Sequence, residues 1–158
     1  MKTPLLLAAL FLGTASAQLK LPAGVEAVPF GKAEVTFKGK VSRTVLLEAA
    51  ISPEQAERGL MYRTSMPKNS GMLFLLGMQE RQASFWMKNT LIPLDIAYFN
   101  ARGVIVDILQ MQPCKATDTN CQTYPSSKPV IGAIEMNIGW FKQNGIKVGD
   151  TVTYKLKY

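Results

Sequence analysis

The segment Phe85-Trp86-Met87-Lys88-Asn89-Thr90, followed closely by Pro93-Leu94-Asp95, concentrates the groups most suited to chemistry in this chain of 158 residues. On an extended strand Phe85 and Met87 face one side, and Ser84, Trp86 and Lys88 face the other. If the chain folds back around residues 89–94, Lys88 stands opposite Asp95, and the Trp86 indole shares their face. Two uses fit that arrangement. One is structural, a cross-strand ion pair under a covering tryptophan, contributing about 0.2–1 kcal/mol. The other is a stacking platform beside a charge pair, as in sites that hold sugars or other planar polar ligands. Asn89 would add an amide to that platform, with Arg63, Asp95 and Glu135 around it. Glu135 lies near the end of an apolar stretch and next to the expected cap of a helix, where a carboxylate either satisfies backbone N–H groups or projects into a site. The run Glu57 to Arg63 has a plain structural reading, because cations favour a helix C-terminus. Asp107, between Val106 and Ile108, is expected on an exposed strand face.

The composition narrows the chemistry. The sequence contains no histidine, which excludes Ser-His-Asp and Cys-His nucleophile systems, imidazole proton shuttles and histidine-ligated zinc or haem. No metal site and no cofactor is expected. Ser65-Met66-Pro67-Lys68 matches Ser-x-x-Lys, but two fixed letters recur by chance and no Lys-Thr-Gly accompanies them. Asp118-Thr119-Asn120 lacks the Gly and Glu that complete a calcium loop, and no phosphate-cradling glycine motif occurs.

Positioning these groups requires strands. Ala33 to Phe37 and Val41 to Ala49 flank Lys38-Gly39-Lys40, a hairpin signal. Ser52, Pro53 and Gln55 then form a helix start with a capping box, and the helix is expected over about 53–61. Met72 to Leu76, Ala83 to Lys88, Leu94 to Phe99 and Val104 to Met111 read as strands between Gly, Asn and Pro breaks, and Asn100 to Gly103 is a tight turn. Residues 112–129 read as a long polar loop, of the length that is usually functional or cross-linked. A strand over Ile131 to Met136, a short helix over about 137–144 capped by Asn137, and a strand over Asp150 to Lys157 complete the chain. The expected fold is α+β: a compact antiparallel strand-rich domain, partly barrel-like, with two short helices.

The first 17 residues have the parts of a secretory signal: Lys2, the apolar run Leu5 to Leu12, and Ala15-Ser16-Ala17 before Gln18. The run is too short to span a bilayer, and no later stretch reaches about 20 apolar residues. Residues 18–32, with Pro22, Gly24, Pro29 and Gly31, read as a flexible lead-in, and 33–158 as a single globular domain. Export to the periplasm or beyond makes a disulfide the leading reading for Cys114 and Cys121, the only cysteines. The formal charge is +7, and removal of Lys2 with the signal leaves +6. That balance suits anionic envelope polymers as well as plain solubility. Nucleic acid is not an expected partner, because no Lys/Arg run exceeds two residues.

Taken together, Arg58-Gly59-Leu60-Met61-Tyr62-Arg63, Gly71-Met72-Leu73-Phe74, Phe85 to Thr90, Leu94-Asp95-Ile96, Ser126-Ser127-Lys128-Pro129 and Ile134-Glu135-Met136 form an ordered set of blocks. In these the chain resembles the family catalogued as domain of unknown function 192, over about residues 33 to 155. The resemblance implies a compact strand-rich α+β domain, often exported, with no established activity. It maps the family's signature onto Arg58, Met61, Arg63, Phe85, Trp86, Lys88, Asn89, Asp95, Ser127 and Glu135. The stretch carrying Cys114 and Cys121 is longer than usual for the family, so one rim of any pocket differs.

Three functions follow as expectations. The first is a cell-envelope binding or accessory domain for an anionic or glycan ligand, with Trp86, Lys88, Asn89, Arg63 and Ser127 as binding residues. The second is a glycan hydrolase with Asp95 and Glu135 as its carboxyl pair. Such a pair stands about 5–5.5 Å apart for retention or about 6.5–9.5 Å for inversion. It also needs one carboxyl with a raised pKa, which a neighbouring Lys88 would oppose. The third is an assembly partner with no small ligand, marked by an exposed apolar patch.

Overall fold

The computed structural model describes residues 21–158. The signal-like segment 1–17 and the first residues of the lead-in lie outside them. Residues 21–30 run irregularly into β1 (Gly31–Lys38), which turns through residues 39–41 into β2 (Ser42–Ala50) with Lys38 paired to Ser42. After α1 (Pro53–Arg58) come β3 (Gly71–Leu75), β4 (Ser84–Trp86), β5 (Leu94–Phe99), β6 (Ile105–Met111), β7 (Thr123–Pro125), β8 (Gly132–Asn137), α2 (Trp140–Gln143) and β9 (Thr151–Lys157).

Seven strands form one sheet in the order β6-β5-β8-β3-β2-β1-β9, and β4 and β7 form a separate two-stranded ribbon. The fold is the expected strand-rich α+β domain with two short helices. One neighbouring pair departs from antiparallel: β2 and β3 run parallel. A parallel pair cannot be joined by a tight turn, and residues 51–70, with α1 among them, make that crossover. The sheet curls so that its two edge strands touch at one end. Val104 bridges Thr151, Val152 N donates to Gly103 O (2.7 Å) and Ile105 N donates to Asp150 O (2.8 Å). The curl stops short of a closed barrel.

Both faces of the central strands are covered, so β3, β5 and β8 are apolar nearly throughout, as in sheets without a solvated side. One core packs Val35, Phe37, Leu47, Phe99, Ile134 and Met136 against Trp140 and Phe141 of α2. The Phe37 ring lies 5.4 Å from the Trp140 ring. The other core packs Leu60, Met72, Phe74, Ile96, Tyr98 and Ala133 beneath α1 and the β4–β7 ribbon.

The differences from the sequence expectation have local causes. The capping box of α1 forms as expected, with Ser52 Oγ accepting from Gln55 N and Gln55 Oε1 accepting from Ser52 N. The helix nevertheless ends at Arg58, because Gly59 takes a positive φ (+44°) and its N–H closes back on Gln55 O. A Cβ on Gly59 would also meet the Phe74 ring at 3.3 Å. In α2 the N-cap is Gly139, not Asn137. Asn137 ends β8, and its amide donates to Pro67 O (3.0 Å). Within the expected 112–129 loop, Thr123–Pro125 becomes strand β7, because β4 needs a partner on its open edge.

Candidate functional site

Phe85 fixes where Trp86 points. Its ring packs edge-on against Phe74 at 4.9 Å and against Tyr98 at 5.8 Å, contacts worth about 0.5–1.5 kcal/mol each beyond their burial. With Phe85 turned toward the sheet, strand alternation turns Trp86 outward, and its indole is 50% exposed. Met87 is buried again, and the chain then turns sharply at Asn89, whose φ is +58°. Tyr62, beyond the end of α1, has a φ of +66°. These two residues lock together: Tyr62 N donates to Asn89 O (2.8 Å), and Asn89 Nδ2 donates to Tyr62 Oη (2.9 Å). Two non-glycine residues in the left-handed region store strain of about 1–3 kcal/mol each, a cost that concentrates at functional sites. Asn89 Oδ1 is buried without a hydrogen-bond partner among the described residues.

The crossing of these two segments opens a cleft of about 400 Å³ between α1 and the ribbon, walled by Glu54, Glu57, Arg58, Trp86, Lys88 and Asn89. A narrow crevice of about 30 Å³ continues from it, sharing Glu57, Arg58, Met61 and Trp86, and ends on Glu135. That is room for a water molecule. The lead-in forms another side of the cleft. Arg58 Nη1 donates to Glu26 O (2.6 Å) and Gln55 Nε2 donates to Pro29 O (2.6 Å), and the Arg58 guanidinium lies 5.7 Å from the Tyr62 ring centre.

Lys88 lines the cleft but does not pair with Asp95. Its ammonium donates to Ala116 O (3.1 Å) and Asp118 O (2.9 Å), two carbonyls of the loop closed by the Cys114–Cys121 disulfide. Cys114 itself bridges Lys88 and Thr90 along the backbone. The expected hairpin between the Trp86 strand and the Asp95 strand does not form. β4 pairs with β7, while β5 is flanked on both sides by β6 and β8 and has no free edge to offer.

Asp95 is therefore elsewhere. It pairs with Met136, and Glu135 pairs with Ile96. Paired residues share a face, and successive residues alternate, so the two carboxylates lie on opposite sides of the sheet. Asp95 is 2% exposed and stands 3.4 Å from Gln110 Nε2. The expected Asp95–Glu135 carboxyl pair is overturned by this alternation. Ser127 is also apart from the cleft. Its N–H and Oγ both donate to Asp107 (2.7 Å each), beyond the Ser84–Pro125 end of the ribbon, whereas Trp86 stands at the other end. The half-buried Asp107 serves as that loop's anchor.

Glu135 is 4% exposed, on the core face beneath α1. Burial pushes its carboxyl pKa up to about 8, and the nearby Arg63 guanidinium opposes the rise without cancelling it. Arg63 itself is committed to Glu48, in a two-point ion pair of 3.0 and 2.6 Å, and its Nε is buried without a partner. Burial and the neighbouring Glu135 also hold the Tyr98 phenol above its ordinary range. Among the described residues no group of three or more Cys, Asp and Glu side chains is arranged to hold a metal ion. No helix there is long and apolar enough to cross a membrane.

Of the residues singled out in the sequence, then, Trp86, Lys88 and Asn89 share one mouth with Glu135 at its floor. Arg63 stands behind Glu135, and Asp95 and Ser127 belong to other surroundings. Glu48 and Glu54 carried no sequence signal of their own. Glu57, Arg58 and Tyr62 lay in the run Glu57 to Arg63, which had a sufficient reading as the end of a helix, and Arg58 also stood in the family's signature.

Comparison with known proteins agrees with this architecture. Residues 33–154 match the family described as DUF192, uncharacterized ACR. The chain belongs to that family. Two crystal structures are similar to this DUF192 domain along almost their whole length. One is a candidate transcription regulator from Sinorhizobium meliloti 1021, with 31% identity and a TM-score of 0.72 over 82% of this chain and 98% of that one. The other is a protein of unknown function from Novosphingobium aromaticivorans DSM 12444, with 29% identity and a TM-score of 0.71 over 89% and 99%. No curated protein matches the chain.

Proposed function

We propose that this DUF192 chain is an exported saccharide-binding domain of the cell envelope. The observation that carries the reading is the half-exposed Trp86 indole on a cleft whose walls include the carboxylates of Glu54 and Glu57. The C–H face of a sugar ring stacks on an indole, and its hydroxyls donate to carboxylates. The cations at the rim are already engaged, Arg58 with Glu26 O and Lys88 with Ala116 O and Asp118 O. The ion pairs among the described residues join Arg63 to Glu48 and Lys157 to Glu34, and leave Glu54 and Glu57 as open acceptors. This favours a neutral, donor-rich glycan over an anionic polymer at this cleft. Export is supported by the signal-like first 17 residues and by the disulfide, a bond that persists in oxidising compartments.

Titration with a panel of neutral oligosaccharides, followed by tryptophan fluorescence and calorimetry, tests the reading. Binding should quench the exposed Trp86 and leave the buried Trp140 unaffected. Trp86→Ala should abolish binding while its melting temperature stays within a few degrees of the parent. Undiminished binding by Trp86→Ala, or no binding of any oligosaccharide by the parent, refutes it.

A further inference from the structure

We propose that the chain docks on an anionic phospholipid bilayer through a basic tip at the end of β2 away from α1. Two segments meet there. One is the end of the β1–β2 hairpin, Lys38-Gly39-Lys40-Val41-Ser42-Arg43, and the other is the loop from α2 to β9, Gly145-Ile146-Lys147-Val148-Gly149-Asp150. Lys38 pairs with Thr151, and Thr151 Oγ1 donates to Lys38 O (3.3 Å). The two tips touch, since a Cβ on Gly145 would meet Val41 Cγ2 at 3.4 Å. The last turn of α2 brings Lys142 to the same end.

Charge selects an anionic partner. Lys38, Lys40, Arg43, Lys142 and Lys147 are all exposed. The sequence holds no Asp or Glu from residue 35 to 47 or from 136 to 149. Asp150, which follows, is buried, and its carboxylate accepts from Lys147 N (3.0 Å) within the loop. The apolar residues then select a bilayer over a soluble polymer. Val41 and Val148 are 40% and 54% exposed, each directly after a lysine. The backbone presents Val148 firmly: Ile146 is buried in the core, and Gly149 N donates to Ile105 O (2.9 Å). A hydrated polyanion has no use for two fixed valines. A bilayer takes apolar side chains below its headgroups while lysine and arginine meet the phosphates.

The tip uses the basic balance of the chain, which the cleft, with Glu54 and Glu57 on its walls, does not. α1, one wall of that cleft, follows the other end of β2, a strand of nine residues and so about 30 Å long. Docked by the tip, the chain holds Trp86 off the bilayer and leaves the cleft open. The docking does not depend on what the cleft binds. Each basic residue held near an anionic surface strengthens attachment about fivefold, and in about 1 M salt the attraction is screened beyond about 3 Å.

The experiment sediments the chain lacking residues 1–17, whose apolar run would itself enter lipid, with vesicles rich in phosphatidylglycerol and with vesicles of phosphatidylcholine alone. Binding of soluble dextran sulfate is measured in parallel. Attachment to the phosphatidylglycerol vesicles alone, lost in about 1 M salt, supports the proposal. Folded Lys40→Gln/Arg43→Gln/Lys142→Gln/Lys147→Gln should bind these vesicles at least about a hundredfold more weakly, and Val41→Ser/Val148→Ser about tenfold more weakly. Lys32→Gln/Arg81→Gln/Lys115→Gln/Lys128→Gln removes the same charge elsewhere and should lose less than about tenfold. Acrylamide quenching of the half-exposed Trp86 should be the same with and without vesicles. An equal loss in both quadruple variants makes net charge, not the tip, the cause and overturns the proposal. So does a serine pair that binds as the parent does, a Trp86 shielded by vesicles, or dextran sulfate bound by a chain that leaves the vesicles alone. No attachment to phosphatidylglycerol vesicles overturns it outright.

Discussion

Replacing Glu135 with glutamine should change how the stability of the domain depends on pH. The carboxyl's pKa rises from an ordinary 4.5 to about 8 on folding, through burial that Arg63 only partly offsets. Between those values the folded chain holds a proton that the unfolded chain has released, so stability falls as pH rises. The contribution is fully present below about pH 4.5. It declines by about 1.4 kcal/mol per pH unit and is gone by about pH 8, a change of roughly 5 kcal/mol. Domains of this size are stable by about 5–15 kcal/mol, so the effect is large enough to read. Glutamine keeps the shape and the neutral state but cannot ionise. Urea unfolding of the parent and of Glu135→Gln at half-unit steps from pH 5 to 9 isolates the group, because every other titration is common to both. The two proteins should agree within about 1 kcal/mol at pH 5, and the variant should be the more stable by several kcal/mol at pH 9. Parallel curves across the range would mean that Glu135 ionises without penalty, and the account of a dry carboxyl under the cleft would be wrong.

Two further outcomes follow from contacts around the cleft. Replacing Cys114 and Cys121 with serine should lower stability by about 2–3 kcal/mol in urea unfolding, the chain-entropy value for so short a loop, and an unchanged midpoint would show that the loop holds its place without the bond. Arg63→Met leaves Glu48 without its two-point partner. It should cost about 2–3 kcal/mol and move the Glu135 titration, followed by carboxyl NMR, to higher pH than in the parent. A titration midpoint that stays put would place the Arg63 charge out of reach of Glu135.

Much of the framework was legible before any coordinates. Alternation and breakers locate β1, β2, β5 and β6 within a residue or two, because each strand is long and bounded by Gly, Asn or Pro. The capping box marks the start of α1, since its two hydrogen bonds are made between neighbours three apart. The pairing of β4 was not legible. Three residues make a strand only when a partner is supplied, and that partner, Thr123–Pro125, lies in a segment whose composition says loop. A hairpin between the Trp86 and Asp95 strands would set Lys88 against Asp95; with β7 as the partner of β4, Lys88 reaches the carbonyls of a disulfide-closed loop instead.

From its sequence alone this protein is determined to be a chain without imidazole chemistry, with a disulfide-capable pair, a signal-like start and a strand-rich domain. These are matters of residue type and short-range period, and they do not depend on how distant segments meet. Tertiary structure alone decided which acids face which side of the sheet. Asp95 and Glu135 sit in similar apolar strands, but the register between β5 and β8 sends one to each face. Only Glu135 lies under the cleft where the left-handed turns at Tyr62 and Asn89 join α1 to the Trp86 ribbon. A one-residue change in that register would pair Asp95 with Glu135 and put both on one face, because side chains alternate faces at every step along a strand.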